Sequence, residues 1–240
     1  MGGNKALSSH KINRAVTSAY EVLAVNLKLA KEEDSRKTTS YVMTSCSRAE
    51  GKTSIAYGLA KTMASSGFKT LLVDGDMRKP LAAKKIKNKG NMGLSDILLG
   101  KCSMEDALLE TDTDNLHYIS SGCDNKNPIA LLMGNRFSRF VDETERVYSI
   151  VIFDSPAIED YFDAAIIASN VDSTILVVKK AKTSLKSLED VKDKLEKIGA
   201  HIAGVVINSG GKSKKNLNLR DYEKGFVSGN MVSDEGKCGR

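Results

Sequence analysis

Tryptophan is absent from the 240 residues, and phenylalanine and tyrosine bring the aromatic share only to 5%. So few rings offer little to stack on bases, and no nucleic-acid partner is expected. The four cysteines, Cys46, Cys102, Cys123 and Cys238, show no C-x-x-C spacing. Neither a zinc cluster nor a disulfide framework is implied, which fits a reducing cytosol. No run approaches about 18 consecutive apolar residues, so no segment is expected to span a bilayer. The opening MGGNKALSSHKINRAV has no apolar core of a secretory signal. These absences point to a soluble, cytoplasmic protein.

What is present is ordinary for a globular chain: 41% hydrophobic and 28% charged residues. Those shares exclude a wholly disordered chain, a coiled coil and a collagen. At this length folding hides roughly 70–75% of the unfolded surface, enough for a full core in one α/β domain. The net charge of +6 is unevenly spread. Beyond Ser209 there are seven Lys/Arg against four Asp/Glu, and residues 78–89 (RKPLAAKKIKNK) hold six bases and no acid. Both stretches read as solvated basic loops, with an anionic membrane or an acidic partner as the alternative.

Periodicity alternates β-rich apolar runs with amphipathic stretches. The expected strands are 41–45, 70–74, 116–120, 150–154, 174–178 and 202–208. Three are nearly continuous apolar runs, as in parallel strands buried on both faces. Helices are expected at about 14–31, at 53–66 before Gly67, from Asn127-Pro128, and at 184–198. In the last, Leu185, Leu188, Val191, Leu195 and Ile198 are expected to form one apolar stripe. Strands separated by helices imply βαβ crossovers and a doubly wound, mostly parallel sheet flanked by helices. A domain over residues 1–209 would then precede a flexible C-terminal tail, 210–240.

The strongest chemical signal is YVMTSCSRAEGKTS, residues 41–54, in which a strand runs through a short loop into a helix. Gly51 would let backbone approach a phosphate, and the N–H groups at the helix start would cradle it. Lys52 would reach the β/γ-oxygens, and the Thr53 hydroxyl would ligate Mg²⁺. The surrounding loop, Ser47, Arg48, Ala49, Glu50 and Ser54, completes the expected ATP or ADP cradle. Where this P-loop pattern normally starts with glycine, the chain has Cys46. Asp74 and Asp76 in LLVDGDMRKP and Asp154 in VIFDSP stand at the carboxyl ends of two further strands, where ligands collect in open α/β sheets. Three carboxylates beside phosphates call for a divalent cation, and magnesium takes one or two carboxylates, a hydroxyl and phosphate oxygens.

The P-loop, the following D-x-D-x-R element (Asp74, Asp76, Arg78) and the later hydrophobic-D-S-P element together resemble the bacterial tyrosine kinases of capsular and exopolysaccharide biosynthesis. That group lies within the ParA/MinD-like P-loop ATPases. GLSDILLG (93–100), NPIALLMGNRF (127–137), YSIVIFDSP (148–156) and DAAIIASNVDSTILVV (163–178) agree with it, so the resemblance runs from about Asn13 to Gly210. It implies ATP-dependent tyrosine phosphorylation, usually of the kinase's own tail, with a membrane-bound activator of the polysaccharide co-polymerase type as partner. By position, Lys52 would hold the phosphates, and Thr53, Asp76 and Asp154 the metal. Asp74 would receive the substrate hydroxyl proton, and Asn208 would sit at the adenine.

Four departures accompany the resemblance. Arg48-Ala49 stand where Pro-Gly is usual, and Pro156 is followed by Ala157 instead of a second proline. The first helix carries Ser18, Glu21 and Ala24 where the family has the Glu and two Arg that join subunits into a ring. Only Tyr222 lies beyond Gly210, where the family has a tyrosine cluster. The first two are compatible with nucleotide binding. The last two leave weak self-association and a single phosphoacceptor, Tyr222, as the expectation. The competing reading is a MinD-like ATPase or inactive kinase homologue that uses ATP as a binding switch for a membrane partner.

Overall fold

The computed structural model describes residues 14–29, 39–78, 92–122 and 127–209. The expected tail with Tyr222 lies outside these residues, as do residues 79–89 of the basic stretch. Along the described chain come α1 (Arg14–Leu29), β1 (Thr39–Ser45), α2 (Lys52–Ser65), β2 (Thr70–Asp74), α3 (Leu94–Leu99) and α4 (Met104–Ala107). Then follow β3 (Leu108–Glu110), β4 (Leu116–Ile119), α5 (Pro128–Leu132), α6 (Asn135–Val147) and β5 (Ile150–Asp154). The chain continues through α7 (Asp163–Ala168), β6 (Ser173–Lys179), α8 (Leu185–Lys197) and β7 (Ile202–Asn208).

The seven strands form one sheet in the order β3-β4-β2-β5-β1-β6-β7. Every pairing is parallel except β3 with β4. The side-chain period of two sends alternate residues of each strand into separate cores. Tyr41 and Met43 of β1 join Ile152, Ile175, Leu59 and Met63 under α1 and α2. Val42 points the other way and joins Val73, Phe153, Phe137, Phe140 and Val191 under α6 and α8. Phe153 meets Phe137 and Phe140 edge-to-face, with ring centroids 5.9 and 6.3 Å apart. Both faces of the central strands are therefore dry, which is why their sequences read as unbroken apolar runs.

Strands β2, β5 and β7 have the bounds read from the sequence, and β1 and β6 extend those readings outward by one or two residues. Asn127 caps α5, its side chain accepting from the Ala130 N–H at 3.3 Å. The expected stripe on α8 is shorter than the spacing implied. Val191 and Leu195 are wholly buried, but Leu185 is 79% exposed and Ile198 also faces solvent. At about 100° per residue Leu185 lies roughly 120° round the helix from Val191, and Ile198 falls past the helix end.

Candidate nucleotide site

The β1 strand ends at Ser45, and residues 46–51 turn back into α2. Gly51 holds φ at +100°, and a Cβ there would stand 2.2 Å from Asn208 Nδ2. Only glycine meets both demands. As the residue before the helix it supplies no side-chain cap, so the first amides of α2 remain as donors at the loop. Lys52 and Thr53 open the helix beside them. This is the geometry in which a helix start binds an anion.

The loop is held from three sides. Arg48 Nε donates to Asp160 Oδ2 at 2.7 Å, and its guanidinium lies 5.8 Å over the Tyr161 ring. Lys182 Nζ donates to the Arg48 carbonyl. The Asn208 amide donates to the Glu50 carbonyl at 2.9 Å, so it lies against the loop backbone. The Glu50 carboxylate is wholly buried and accepts from the Ser47 N–H at 3.0 Å and from the Thr183 hydroxyl. Cys46 is buried, with its thiol directed at the Ser187 carbonyl. Burial pushes that thiol up in pKa, so it is a small packed residue and not a reactive thiolate.

Ala49 sits at φ +58°, a left-handed conformation that costs an L-residue about 1–2 kcal/mol. This is one of the two positions where the family's Pro-Gly is replaced. Ala49→Gly is expected to raise stability by about 0.5–1 kcal/mol, because relief of strain exceeds the glycine's extra unfolded-state entropy. A urea unfolding midpoint that does not move upward at unchanged m-value would show that the loop tolerates Ala49 without strain.

Asp74 and Asp154 are register partners at the carboxyl ends of β2 and β5, and both are buried. Gly75 makes the approach possible, since a Cβ there would stand 2.8 Å from the Asp154 carbonyl, which accepts from Gly75 N–H at 2.7 Å. Asp74 Oδ1 accepts from the Asp76 N–H at 3.0 Å, and the Tyr118 hydroxyl donates to the same carboxylate. Burial, with the two aspartates secondary, drives the Tyr118 ionisation well up, so it stays a donor. Burial also pushes the Asp154 carboxyl up to about 6, against the Thr53 hydroxyl bond and the Lys52 charge, with Asp76 adding to the rise.

Asp154 Oδ1 is buried with no hydrogen-bond partner. An orphaned carboxylate oxygen beside a threonine hydroxyl and a second acid is a donor set that suits a hard cation. Among the described residues no group of three or more His, Cys, Asp or Glu side chains could hold a metal unaided. The arrangement therefore suits an ion that arrives with phosphate oxygens and water.

Arg78 forks onto the buried Asp163 carboxylate, Nε to Oδ2 at 2.7 Å and Nη2 to Oδ1 at 3.0 Å. Its guanidinium lies 4.3 Å over the Tyr161 ring, on which Arg48 also borders. Asp160, Tyr161, Asp163, Lys182 and Thr183 carry no role in the sequence reading. Of these only Asp163 falls in a stretch, 163–178, that follows the family pattern.

A family profile described as an AAA domain matches residues 49–206. Tyrosine-protein kinase CpsD of Streptococcus pneumoniae serotype 4 is 32% identical over 190 residues, covering 79% of this chain and 82% of CpsD. The crystal structure of the chimerical protein CapA2B2 aligns with a TM-score of 0.72 at 30% identity, covering 80% of this chain and 83% of that one. The septum site-determining protein MinD of Pyrococcus horikoshii, complexed with Mg-ADP, aligns at a TM-score of 0.62 over 79% of this chain and 78% of its own. At 22% identity MinD bears on the fold alone. With a P-loop at the head of α2, paired acids at two strand ends and four-fifths of CpsD's length matched, this chain belongs to the bacterial tyrosine-protein kinases, built on a P-loop ATPase fold.

Proposed function

We propose that the chain transfers the γ-phosphoryl group of ATP to tyrosine hydroxyls, its own Tyr222 among them, in the control of capsular or exopolysaccharide biosynthesis. Lys52 and the amides of residues 47–54 bind the phosphates. Thr53, Asp76 and Asp154 hold Mg²⁺, which supplies charge neutralisation of the phosphate oxygens when bound. The substrate oxygen bonds to the γ-phosphorus as the β,γ-bridging bond breaks, and the phenolic proton passes to Asp74. Asn208 borders the nucleotide from the end of β7.

The observation that carries this reading is Asp74. It stands at the carboxyl end of β2, in register with Asp154 and beside the P-loop, with its Oδ1 oriented by the Asp76 amide. A carboxylate placed there suits the uptake of a substrate hydroxyl proton. Family membership and the paired strand-end acids support the choice of a transferase over a switch.

The favoured partner is a membrane-bound activator of the polysaccharide co-polymerase type, with the chain in the cytoplasm and held at the membrane through it. No helix among the described residues is long and apolar enough to cross a membrane. On α1, Ser18 and Glu21 are exposed beside Val22 and Val25, while Ala24 is buried. Where the family uses charged pairs this face offers two valines, which suits weak self-association at most. That same face is what favours the competing reading, a MinD-like binding switch.

Incubation of the intact chain with Mg-ATP and its activator, followed by phosphosite mapping, decides between them. Phosphate is expected on Tyr222 as the main site. Bound ATP with no phosphate on Tyr222 would replace the kinase reading with the switch.

A further inference from the structure

We propose that Thr183, in the loop between β6 and α8, is a positioning residue for the nucleotide cradle: its hydroxyl holds the buried Glu50 carboxylate and thereby fixes the shape of residues 46–51. The inference rests on reading that loop as the phosphate cradle.

Glu50 immediately precedes Gly51, yet its carboxylate is folded back into the loop and fully removed from solvent. A carboxylate in that position must have its lone pairs filled by donors. Two donors come from Ser47, its N–H at 3.0 Å and its hydroxyl at 3.4 Å. Both belong to the loop itself and would move with it. Among the described residues the one donor from outside is Thr183, 133 residues further along the chain.

The Thr183 hydroxyl is bonded on both sides. Its oxygen accepts from the Lys179 N–H at 3.0 Å, so its single proton is left for Glu50. Lys179 is the last residue of β6, fixed in the sheet against Asn208 of β7. The hydroxyl therefore ties a loop to a strand end. Its neighbours act on the same loop: Lys182 reaches the Arg48 carbonyl, and Asn208 reaches the Glu50 carbonyl. The Asn208 carbonyl in turn accepts from the Lys180 N–H at 3.0 Å. Ala181 between them is held at φ +63°, a conformation kept only where the surroundings enforce it.

Without the hydroxyl, Glu50 keeps only donors that travel with it, and the loop gains access to other shapes. Apparent affinity for nucleotide then falls by the fraction of chains still in the binding shape. Loss of one hydrogen bond to a buried charge corresponds to about a tenfold to hundredfold change.

The test uses the full chain and Mg-ADP, titrated calorimetrically against wild type, Thr183→Val, Thr183→Ser, Glu50→Gln and the Glu50→Gln/Thr183→Val double variant. Thr183→Val, which keeps the shape and loses the hydroxyl, is expected to weaken Mg-ADP by about tenfold or more. Thr183→Ser is expected to restore affinity to within about threefold of wild type. In the double variant the two losses should be far from additive, the mark of a shared contact. Hydrogen exchange at the Ser47 amide should quicken in Thr183→Val without nucleotide, and Thr183→Ala serves equally if valine is not accommodated. Wild-type affinity in Thr183→Val, or a serine variant as weak as the valine one, would overturn the inference. A wild-type chain that binds no Mg-ADP would instead overturn the nucleotide-site reading beneath it.

Discussion

Asp74→Asn should keep its grip on Mg-ADP while phosphoryl transfer falls by about 10²–10⁴-fold, the range usual for loss of a general base. The substitution keeps volume and can still accept from the Asp76 N–H, so the end of β2 should keep its shape. What it removes is the negative charge that, in the proposed mechanism, takes up the phenolic proton. Asp154→Asn should behave differently, because in the proposed mechanism that carboxylate holds the cation: nucleotide binding should then require more magnesium. Asp154 also gives a pH signature. Asp154 is raised in the fold from 3.8 to about 6, so the folded chain binds this proton more tightly than the unfolded chain. Its contribution to the stability of the ligand-free protein is full below 3.8 and is lost as pH rises through about 6. Magnesium needs the ionised form, so the stabilisation added by Mg-ADP should grow across that interval and flatten in Asp154→Asn. Single-turnover transfer and magnesium titrations of both variants measure the division. Equal loss of nucleotide binding in the two would contradict it.

Lys52→Met should abolish most of the stabilisation that nucleotide confers. At a ligand concentration 100 times the dissociation constant, linkage adds about 2.7 kcal/mol to the wild-type fold. Lys52 stands at the first position of α2, where its ammonium adds to the field of the helix start. Methionine keeps most of the stem and removes the cation. The unliganded variant should therefore melt close to wild type, and only the shift with Mg-ADP should collapse. A thermal shift equal to wild type would remove the P-loop assignment altogether.

The cradle was legible because its parts are local. Gly51-Lys52-Thr53 between an apolar strand and a helix can be read from 14 consecutive residues. Asp74 and Asp154 were legible because a strand's end is marked by where its apolar run stops. Four further elements leave no legible period in the sequence, for physical reasons. The α3, α4 and α7 helices have six, four and six residues, too few for a period of 3.6 to declare itself. The three-residue β3 gains its form from pairing with β4. In α6, Phe137, Phe140, Val141 and Thr144 do mark one buried face at helical spacing, a pattern present in the sequence and not read. The distant partners of Arg78, Glu50 and Asn208 were beyond reach. Each contact spans 85 residues or more and depends on which strand ends the sheet brings together.

The sheet order also has a consequence for synthesis. The β1 strand, first of the described strands, is flanked by β5 and β6, whose last residues are Asp154 and Lys179. At 5–20 residues per second, about 7–27 s of translation separate the completion of β1 from that of β6. Through that interval a nascent chain carries an apolar strand without β6, and until Asp154 is made without β5 as well, while loop 46–51 lacks Thr183, Lys182 and Asn208. Nucleotide can therefore reward folding only once Asn208 has been made, and the stretch of synthesis before that is when chaperones would find the nascent chain most exposed.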